Sequence, residues 1–316
     1  MARVSDVIRE RLGECSPAER KVARALLAAY PSAGLETVAR LADRAGVSAP
    51  TVLRFVGRLG FGGFPEFHDT LRAELNERDA SPIALYERTE YGSRPPTGAA
   101  TLLRQAGLIL QQSVAQTFAT VPPDDFQAAI DLLADPGRRV LVLGGRFTRL
   151  IGRYLALHLV QMRDDVHPLS ELSVERAATL ARLGRKDVVV VFDYRRYEPD
   201  TLTVARHARD QGARVILFTD PWLSPIASLA DVVLPCEVGA PSPYDSLVPT
   251  FATVEALVAG ILTALGPAAH DHMLHVEDTA RLTNLYSQDS GDGTVLSADP
   301  EPERHPTDPS PTPHPE

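Results

Sequence analysis

The sequence predicts a two-domain α + α/β protein: an all-α domain with a helix-turn-helix, then a three-layer α/β domain with a five-stranded parallel sheet. Two amphipathic helical stretches between residues 35 and 63 predict the first domain. Five short apolar runs that alternate with helical segments after residue 101 predict the second. A chain of 316 residues is also longer than one average domain. We expect domains at 1–77 and 101–286, with 78–100, which lacks periodicity and is rich in Pro, Gly and Ser, as a linker.

Helices are predicted on both sides of the helix-turn-helix. The first spans about residues 4–12. The sequence Ser16-Pro17-Ala18-Glu19 is typical of a capping box and begins a second helix, which Pro31 ends. A further helix is predicted at about residues 65–77. Five helices of this length form a unit that is large enough for a core of its own.

The stretch from residue 35 to residue 63 carries two apolar helical stripes separated by a glycine. The apolar positions are Val38, Leu41, Ala42 and Ala45 in the first helix and Val52, Phe55, Val56 and Leu59 in the second. Gly46 breaks the helical pattern, and Ser48 is suited to cap the second helix. Two short helices joined in this way indicate a helix-turn-helix, whose second helix enters the major groove of DNA.

Five residues are predicted to contact DNA. Thr51, Arg54 and Arg58 share the polar face of the second helix. We expect Ser48 and Thr51 to touch phosphates or base edges, and Arg54 and Arg58 to contact guanines or phosphates. Arg44 completes a span with three arginines and no acid. The alternative is an ordinary two-helix corner of an all-α domain.

The net charge of −9 is unusual for a protein that binds DNA. Residues 287–316, however, contain seven acids and one arginine and so carry −6 of that charge. This segment is rich in Pro, Asp and Ser, and we expect it to be a disordered acidic tail because it has too little apolar surface to fold. The local field around the helix-turn-helix is therefore positive, and the local field matters more than the total charge.

The second domain shows apolar runs that alternate with helices. Two helices, at 102–120 and 124–134, come first. The apolar runs are residues 140–143, 166–169, 188–192, 215–219 and 232–234. The helices between and after them are expected at 149–162, 173–183, 199–211, 225–229, 250–265 and 272–285. Runs that are apolar on both faces indicate a buried parallel sheet with helices on either side.

Two loops at strand ends are candidates for a ligand site, because ligands of parallel sheets bind beyond the carboxyl ends of the strands. The first loop contains Gly144, Gly145, Arg146 and Thr148. Its glycines allow backbone N–H groups to approach an anion at the helix that follows. Glycines required for packing explain the same pattern nearly as well.

The second candidate loop follows the third apolar run and contains Asp193, Arg195 and Arg196. Two adjacent arginines at a strand end are able to clamp a carboxylate or a phosphate. Solvated loop charges or interface groups are an equal alternative for these arginines.

Composition gives no sign of a metal, a cofactor or a membrane. Cys15 and Cys236 are far apart in sequence, so we expect no disulfide framework and a cytoplasmic location. No run of about 18 uncharged apolar residues is present, so no transmembrane helix is expected. His270, His272 and His275 are expected to be surface side chains rather than metal ligands. Spacing supports neither a Ser-His-Asp nor a Cys-His arrangement.

The helix-turn-helix followed by this α/β domain resembles the RpiR (MurR/RpiR) family of bacterial transcriptional regulators over about residues 4–265. Members show a VS-x-x-TV-x-RF-x-x-x-LG-F-x-GF pattern. It is met by Val47, Ser48, Thr51, Val52, Arg54, Phe55, Leu59, Gly60, Phe61, Gly63 and Phe64. In that family the second domain has the sugar isomerase (SIS) fold. The resemblance implies DNA binding as a dimer or higher oligomer, with a sugar phosphate or related metabolite tuning the affinity.

The two candidate loops depart from the pattern of SIS phosphosugar sites, which resemble G-x-G-x-S and S-x-S-G-x-T. Arg146 replaces the second glycine of the first loop, and only Thr148 keeps a hydroxyl. In the second loop, Asp193 and Arg195 replace the serines, Arg196 the glycine and Glu198 the threonine. A phosphate would lose most of its hydroxyl donors and would meet Asp193.

The sequence thus predicts a cytoplasmic transcriptional regulator of carbohydrate or related catabolism, and not an enzyme. We expect it to bind a double-stranded DNA operator as a homodimer or homotetramer, without a cofactor. A small anionic metabolite such as a sugar phosphate or sugar acid is expected to modulate it at the degenerate SIS site. The alternatives are a phosphosugar isomerase with a regulatory helix-turn-helix head, and a regulator whose SIS-like domain only oligomerises.

Overall fold

Five parallel strands, with helices on both sides, follow an N-terminal region that is helical throughout. The computed structural model describes residues 3–28, 30–88 and 98–285. The helices of the first region are α1 (Val4–Arg11), α2 (Pro17–Ala28), α3 (Val38–Ala45), α4 (Ala49–Arg58), α5 (Phe64–Arg78) and α6 (Pro82–Arg88). The sequence-based prediction of an α + α/β fold is confirmed.

The second region contains the strands. Its elements are α7 (Ala99–Thr120), α8 (Pro123–Ala134), β1 (Arg139–Gly144), α9 (Arg149–Met162), β2 (Val166–Pro168), α10 (Ser173–Leu180), β3 (Asp187–Asp193), α11 (Pro199–Asp210), β4 (Arg214–Thr219), β5 (Val232–Pro235), α12 (Val248–Leu265) and α13 (Pro267–Leu282). The chain divides into two units after Leu274, and the described part of the second unit continues α13 to its end.

Local signals in the sequence set the ends of the first helices. The backbone N–H of Ser16 donates to the Glu19 carboxylate at 2.8 Å, and the N–H of Glu19 donates to Ser16 Oγ at 3.3 Å. This reciprocal pair is the predicted capping box. Gly46 ends α3 in the left-handed conformation, with φ 60, which glycine adopts without steric cost.

The core of the helical region is built from the predicted apolar stripes. Val52, Phe55 and Val56 of α4 are fully buried, and Leu59 is nearly so. Glu74 of α5 also lies inside this region. It accepts hydrogen bonds from the backbone N–H of Val4 (2.8 Å) and from the hydroxyl of Tyr30. Burial raises the pKa of Glu74 to about 7.

The sheet has the strand order β2-β1-β3-β4-β5, and all its pairs are parallel. From β1 the chain goes first to one side, to β2, and then to the other, to β3. The strand order therefore reverses between β1 and β3, whose ends are in register with Gly144 opposite Phe192. In open parallel sheets the ligand crevice lies beyond the strand ends at such a reversal.

Two apolar layers enclose the sheet, as the alternating pattern predicts. One face packs against α8, α9 and α12. The other packs against α11, with side chains from α10 at its margin. The rows of valine, isoleucine and leucine in β1, β3 and β4 supply both faces, because successive strand residues point to opposite sides.

Among the described residues, α12 is the one helix that is long and apolar enough to cross a membrane by length and composition, although it contains Glu255. Its buried residues, Thr253, Val254, Leu257 and Ile261 among them, pack within the α/β region. Glu255 on the same helix accepts a hydrogen bond from Tyr154. The helix is thus a packing element of the α/β domain.

Some predicted segments differ in detail from the structure. The expected linker at 78–100 contains helix α6, and its residues 89–97 lie outside the described residues. The short helix predicted at 225–229 is a 3-10 helix, Pro225–Ser228. The helix predicted at 272–285 begins earlier, at Pro267. The predicted acidic tail at 287–316 lies outside the described residues.

Candidate nucleic-acid interface and ligand cavity

The exposed face of α4 carries two of the predicted DNA-contacting arginines. Arg54 and Arg58 are both exposed, while the opposite face of the helix is buried in the core. Leu53 lies on the same face with 48% of its surface exposed, and its apolar side chain is not among the predicted contacts. The helix thus presents two guanidinium groups, the large apolar side chain of Leu53 and no acid of its own to solvent.

Thr51 does not lie on this face, which corrects the prediction for that residue. It is only 7% exposed, because the buried set of α4 includes position 51 as well as 52, 55 and 56. Its hydroxyl lies 3.0 Å from Ser48 Oγ and accepts a hydrogen bond from Arg54 Nη2 at 3.2 Å. Thr51 therefore positions the Arg54 side chain from within the helical region.

Ser48 occupies the predicted N-cap position of α4 and is exposed. Its hydroxyl makes no capping bond to the backbone and is engaged with Thr51 instead. Pro50, the second residue of the helix, has no N–H to offer a cap. The Ser48 side chain remains at the surface at the N-terminus of α4.

The other two predicted arginines each have a carboxylate partner. Arg58 Nε lies 3.2 Å from Glu19 Oε1, and Arg44 Nε lies 3.4 Å from Glu36 Oε2. Burial acts to raise the pKa of Glu19, but hydrogen bonds from Ser16 and Arg58 outweigh burial and lower it. Among the described residues, no acid pairs with Arg54, so it is the predicted contact whose charge is least compensated.

A cavity of about 530 Å³ lies at the reversal of strand order, beyond β1 and β3. A volume of this size falls within the range of small-molecule sites. Its lining residues come from the two predicted loops, from α6 and its approach, and from the segment before α12. They are Ala80, Pro82, Gly145, Arg146, Phe147, Thr148, Phe192, Asp193, Tyr194, Arg195, Arg196, Glu198, Pro243, Tyr244, Asp245 and Leu247.

Six of the seven predicted ligand-binding residues line this cavity, and Gly144 does not. Gly144 lines a neighbouring cavity of about 300 Å³ on the β2 side of the same loop. A Cβ at Gly144 would lie 2.6 Å from the backbone nitrogen of Arg149. A glycine is therefore required here because β1 and α9 approach each other closely. This is the packing explanation given above as the alternative to anion binding.

Two donors of the first loop are engaged within the protein. The N–H of Gly145 donates to Thr148 Oγ1 at 2.8 Å, and Thr148 Oγ1 donates to the carbonyl of Phe192 at 2.9 Å. Thr148 is buried, and its hydroxyl ties the loop to β3. The expectation that Thr148 supplies a free hydroxyl to a ligand is thus not met.

Glu198 lies against the same loop. Its Oε1 accepts hydrogen bonds from the backbone N–H and from Nε of Arg146, both at 3.2 Å. The Arg146 side chain is 70% exposed and that of Glu198 34%, so solvent screens this ion pair.

Asp193 lies at the back of the cavity and is 2% exposed. Its two carboxylate oxygens accept hydrogen bonds from the hydroxyl of Ser224 and from the backbone N–H of Glu198. Burial raises the pKa of Asp193 to about 6, against the effect of these two hydrogen bonds. Arg196, which replaces the family's glycine, has φ 67, the left-handed conformation that glycine adopts easily.

Arg195 connects the cavity to the helical region. Its Nη1 donates to the carbonyl of Glu77, in the last turn of α5, at 3.0 Å. Its guanidinium also pairs with Asp245 and lies 5.3 Å from the centre of the Trp222 ring. Of the alternatives for the paired arginines, Arg195 is therefore an interface group, while Arg196 is exposed.

Trp222 contacts two arginines from different regions of the chain. The guanidinium carbon of Arg3 is 5.2 Å from the ring centre, and Arg3 also makes two hydrogen bonds of 2.8 Å to the Glu237 carboxylate. Distances along the sequence hide these contacts, since Arg3 and Glu237 are 234 residues apart. The single tryptophan of the sequence is the one feature that could have drawn attention to these contacts.

Within residues 3–28, 30–88 and 98–285, the histidines and cysteines form no cluster. The described residues contain no group of three or more His, Cys, Asp or Glu side chains placed to hold a metal ion. His272 Nε2 lies 3.2 Å from the carbonyl of Val160, and the two cysteines are free and buried.

Comparison with known proteins gives matches over both regions. Residues 3–78 match the model of the helix-turn-helix domain of the rpiR family, and residues 132–260 match that of the SIS domain. The HTH-type transcriptional regulator HexR of Pseudomonas aeruginosa is 25% identical over 284 residues, which cover 88% of this chain and 96% of that protein.

Solved structures show the same fold. The sugar isomerase domain of an RpiR transcription factor from Sphaerobacter thermophilus is 25% identical, with a TM-score of 0.53; the match covers 56% of this chain and 98% of that one. The NanR protein of Vibrio vulnificus, complexed with ManNAc-6P, is 17% identical, with a TM-score of 0.51 and coverage of 90% and 100%.

Replacing Gly144 with alanine tests the close approach of the first loop to α9. We expect Gly144→Ala to destabilise the chain by about 1–3 kcal/mol, because the new methyl group would overlap backbone atoms. Gly184→Ala is the control, since a Cβ there meets no atom within 4 Å. Thermal melts of the two variants should differ by several degrees. Equal melting temperatures would show that the loop has room for a side chain.

Proposed function

The chain belongs to the rpiR family of helix-turn-helix regulators with a SIS domain, and we propose that it controls genes of carbohydrate or related catabolism by binding operator DNA through α4. The observation that carries the proposal is the exposed face of α4. It holds Arg54, which has no acidic partner among the described residues, and Arg58, which pairs with Glu19, on a helix whose other face is buried in the core. This is the arrangement that a helix needs in order to enter the major groove.

The DNA contacts divide by their chemistry. Arg54, which has no acidic partner among the described residues, is the proposed base-reading arginine, held in place by Thr51. Leu53 is suited to contact a thymine methyl group. When DNA binds, Arg58 and Arg44 leave their carboxylate partners and pair with phosphates of the DNA backbone. Ser48 donates to another backbone phosphate at the start of α4.

Arg54→Ala is expected to weaken binding to a DNA fragment that the wild-type chain selects from genomic DNA. One base contact is worth about 1–3 kcal/mol, so the dissociation constant should rise about 5- to 150-fold without a change in oligomeric state. Arg206→Ala is the control, because it removes the same charge from an exposed position of α11. Gel-shift titrations at fixed salt measure both. Equal affinity of Arg54→Ala and the wild-type chain would contradict the assignment of Arg54.

The cavity between the two loops is the proposed site for a small anionic metabolite such as a sugar phosphate or sugar acid. Its volume suits a sugar-sized ligand, and Arg146 and Arg196 supply exposed guanidinium groups. The Thr148 hydroxyl of the first loop donates to the Phe192 carbonyl, which supports a binding role rather than isomerase chemistry. The role that we propose for the cavity is therefore regulatory and not catalytic.

The proposed assembly is a homodimer or homotetramer, because operators are commonly read by paired helix-turn-helix units. Exposed apolar side chains support this proposal. Leu103 and Leu108 of α7 are largely exposed, and Phe118 of the same helix is half exposed. Apolar side chains on one exposed helix are typical of protein–protein contact surfaces.

Arg195 is the proposed link between the metabolite and DNA affinity. It lines the cavity and also holds the last turn of α5 through the Glu77 carbonyl. Trp222 connects Arg195 to Arg3 at the start of α1. A ligand that moves Arg195 therefore alters two contacts that hold the helical region.

Trp222 provides a direct optical test of this link, since it is the only tryptophan. Binding of the selected DNA should change the wild-type Trp222 emission, because it alters the position of Arg3 or Arg195 over the ring. Arg195→Met should lose most of that change, and Arg206→Met should keep it. Saturating DNA that leaves the wild-type emission unchanged would contradict the proposed link.

A further inference from the structure

We propose that Glu198 is a built-in occupant of the anion subsite at the loop between β1 and α9, and that an anionic effector binds by displacing this carboxylate. The proposal rests on the regulatory role proposed for the cavity and names the residue that sets its affinity for anions. It concerns one side chain, Glu198, and the two donors of Arg146 that it engages.

The loop already holds an anion. One oxygen of Glu198 accepts from both the backbone N–H and Nε of Arg146, each at 3.2 Å. A backbone donor and a guanidinium donor converging on one oxygen, close to the first turn of the 14-residue helix α9, form an arrangement that suits an anion. A Cβ at Gly145 would lie 3.0 Å from the same oxygen, so the loop backbone closes directly onto the carboxylate.

Glu198 comes from another element to fill this position. It is the N-cap residue of α11, yet its side chain makes no capping bond to that helix and crosses to a loop 52 residues away. Its backbone is anchored, since its N–H donates to buried Asp193 at 3.3 Å. The side chain is one third exposed and paired with an exposed arginine, so it is able to swing into solvent while its backbone stays in place.

Other polar groups around the cavity are already engaged. The N–H of Gly145 is bound to Thr148 Oγ1, and the Thr148 hydroxyl is bound to the Phe192 carbonyl. Arg195, the cavity's most buried arginine, is paired with Asp245. An anion that takes the backbone N–H and Nε of Arg146 therefore competes with Glu198, and the competition lowers its affinity.

Substitution of Glu198 separates displacement from the alternatives. Inorganic phosphate and glucose 6-phosphate serve as probes, titrated into the full chain at constant ionic strength and measured by calorimetry and thermal shift. Glu198→Gln keeps the size of the side chain and removes its charge. We expect it to bind both probes about tenfold more tightly than the wild-type chain, because the ligand no longer displaces a charged hydrogen-bond partner.

Two further variants make the result decisive. Glu198→Asp keeps the charge but shortens the reach to Arg146, so it should also gain affinity. Glu171→Gln is the control and should bind as the wild type does, since Glu171 pairs with Arg149 outside the loop, at 2.7 Å. Melting curves without ligand identify any variant that fails to fold, in which case the other Glu198 variant is decisive.

The proposal is overturned if both Glu198 variants bind the probes no more tightly than the wild-type chain, or if no variant binds either probe. A gain shared by Glu171→Gln would also overturn it, because the effect would then be one of net charge. Gel shifts with the same proteins test the proposed function independently. If the wild-type chain does not bind DNA, the proposed regulatory function is wrong, whereas the result of the phosphate titrations is unaffected.

Discussion

The reversal of strand order between β1 and β3 is the constraint on which the candidate ligand site depends. It brings the ends of two strands into register, with Gly144 opposite Phe192, and so joins two loops that are almost fifty residues apart. The Thr148 bond to the Phe192 carbonyl and the Arg146 pair with Glu198 both cross this reversal. In a sheet with a different strand order these side chains would not meet, and the two loops would no longer line one cavity.

The contacts that connect the cavity to the helical region have energies in the range that regulation requires. A cation over an aromatic ring contributes about 0.5–2 kcal/mol, and Trp222 makes two such contacts. Coupling between two ligand sites is typically about 1–3 kcal/mol. A metabolite that disturbs Arg195 alone therefore acts on an energy comparable with the whole regulatory effect. Stronger contacts at this place would hold the two regions together whether or not a ligand is bound.

Helical and strand periodicity predicted most of the architecture. The stripes through Leu41 and Phe55 gave the buried faces of α3 and α4, and the apolar runs gave the five strands in the correct class of sheet. Periodicity failed for Thr51, whose hydroxyl is satisfied inside the core by Ser48 and Arg54, so that a polar residue joins the buried face.

The site was predicted as a set of residues but not as a set of contacts. Six of the seven chosen residues line the cavity, because the strand-end rule depends only on topology. The bond of Thr148 to a strand 44 residues away and the pairing of Arg3 with Glu237 depend on three-dimensional proximity, which spacing does not encode. Helix α6 went unseen within the expected linker because seven residues give too little periodicity to stand out.

Hydrogen–deuterium exchange of the full chain, with and without a selected DNA fragment, tests most directly the claim that α4 binds DNA and that the cavity responds. Protection should appear in peptides that cover α4. Exchange should also change in peptides that cover Asp193–Glu198 and Trp222, across the contacts that Arg195 makes. DNA binding that leaves the exchange of α4 unchanged would contradict the central claim. Protection of α4 without any change at the cavity loops would show that the two regions act independently.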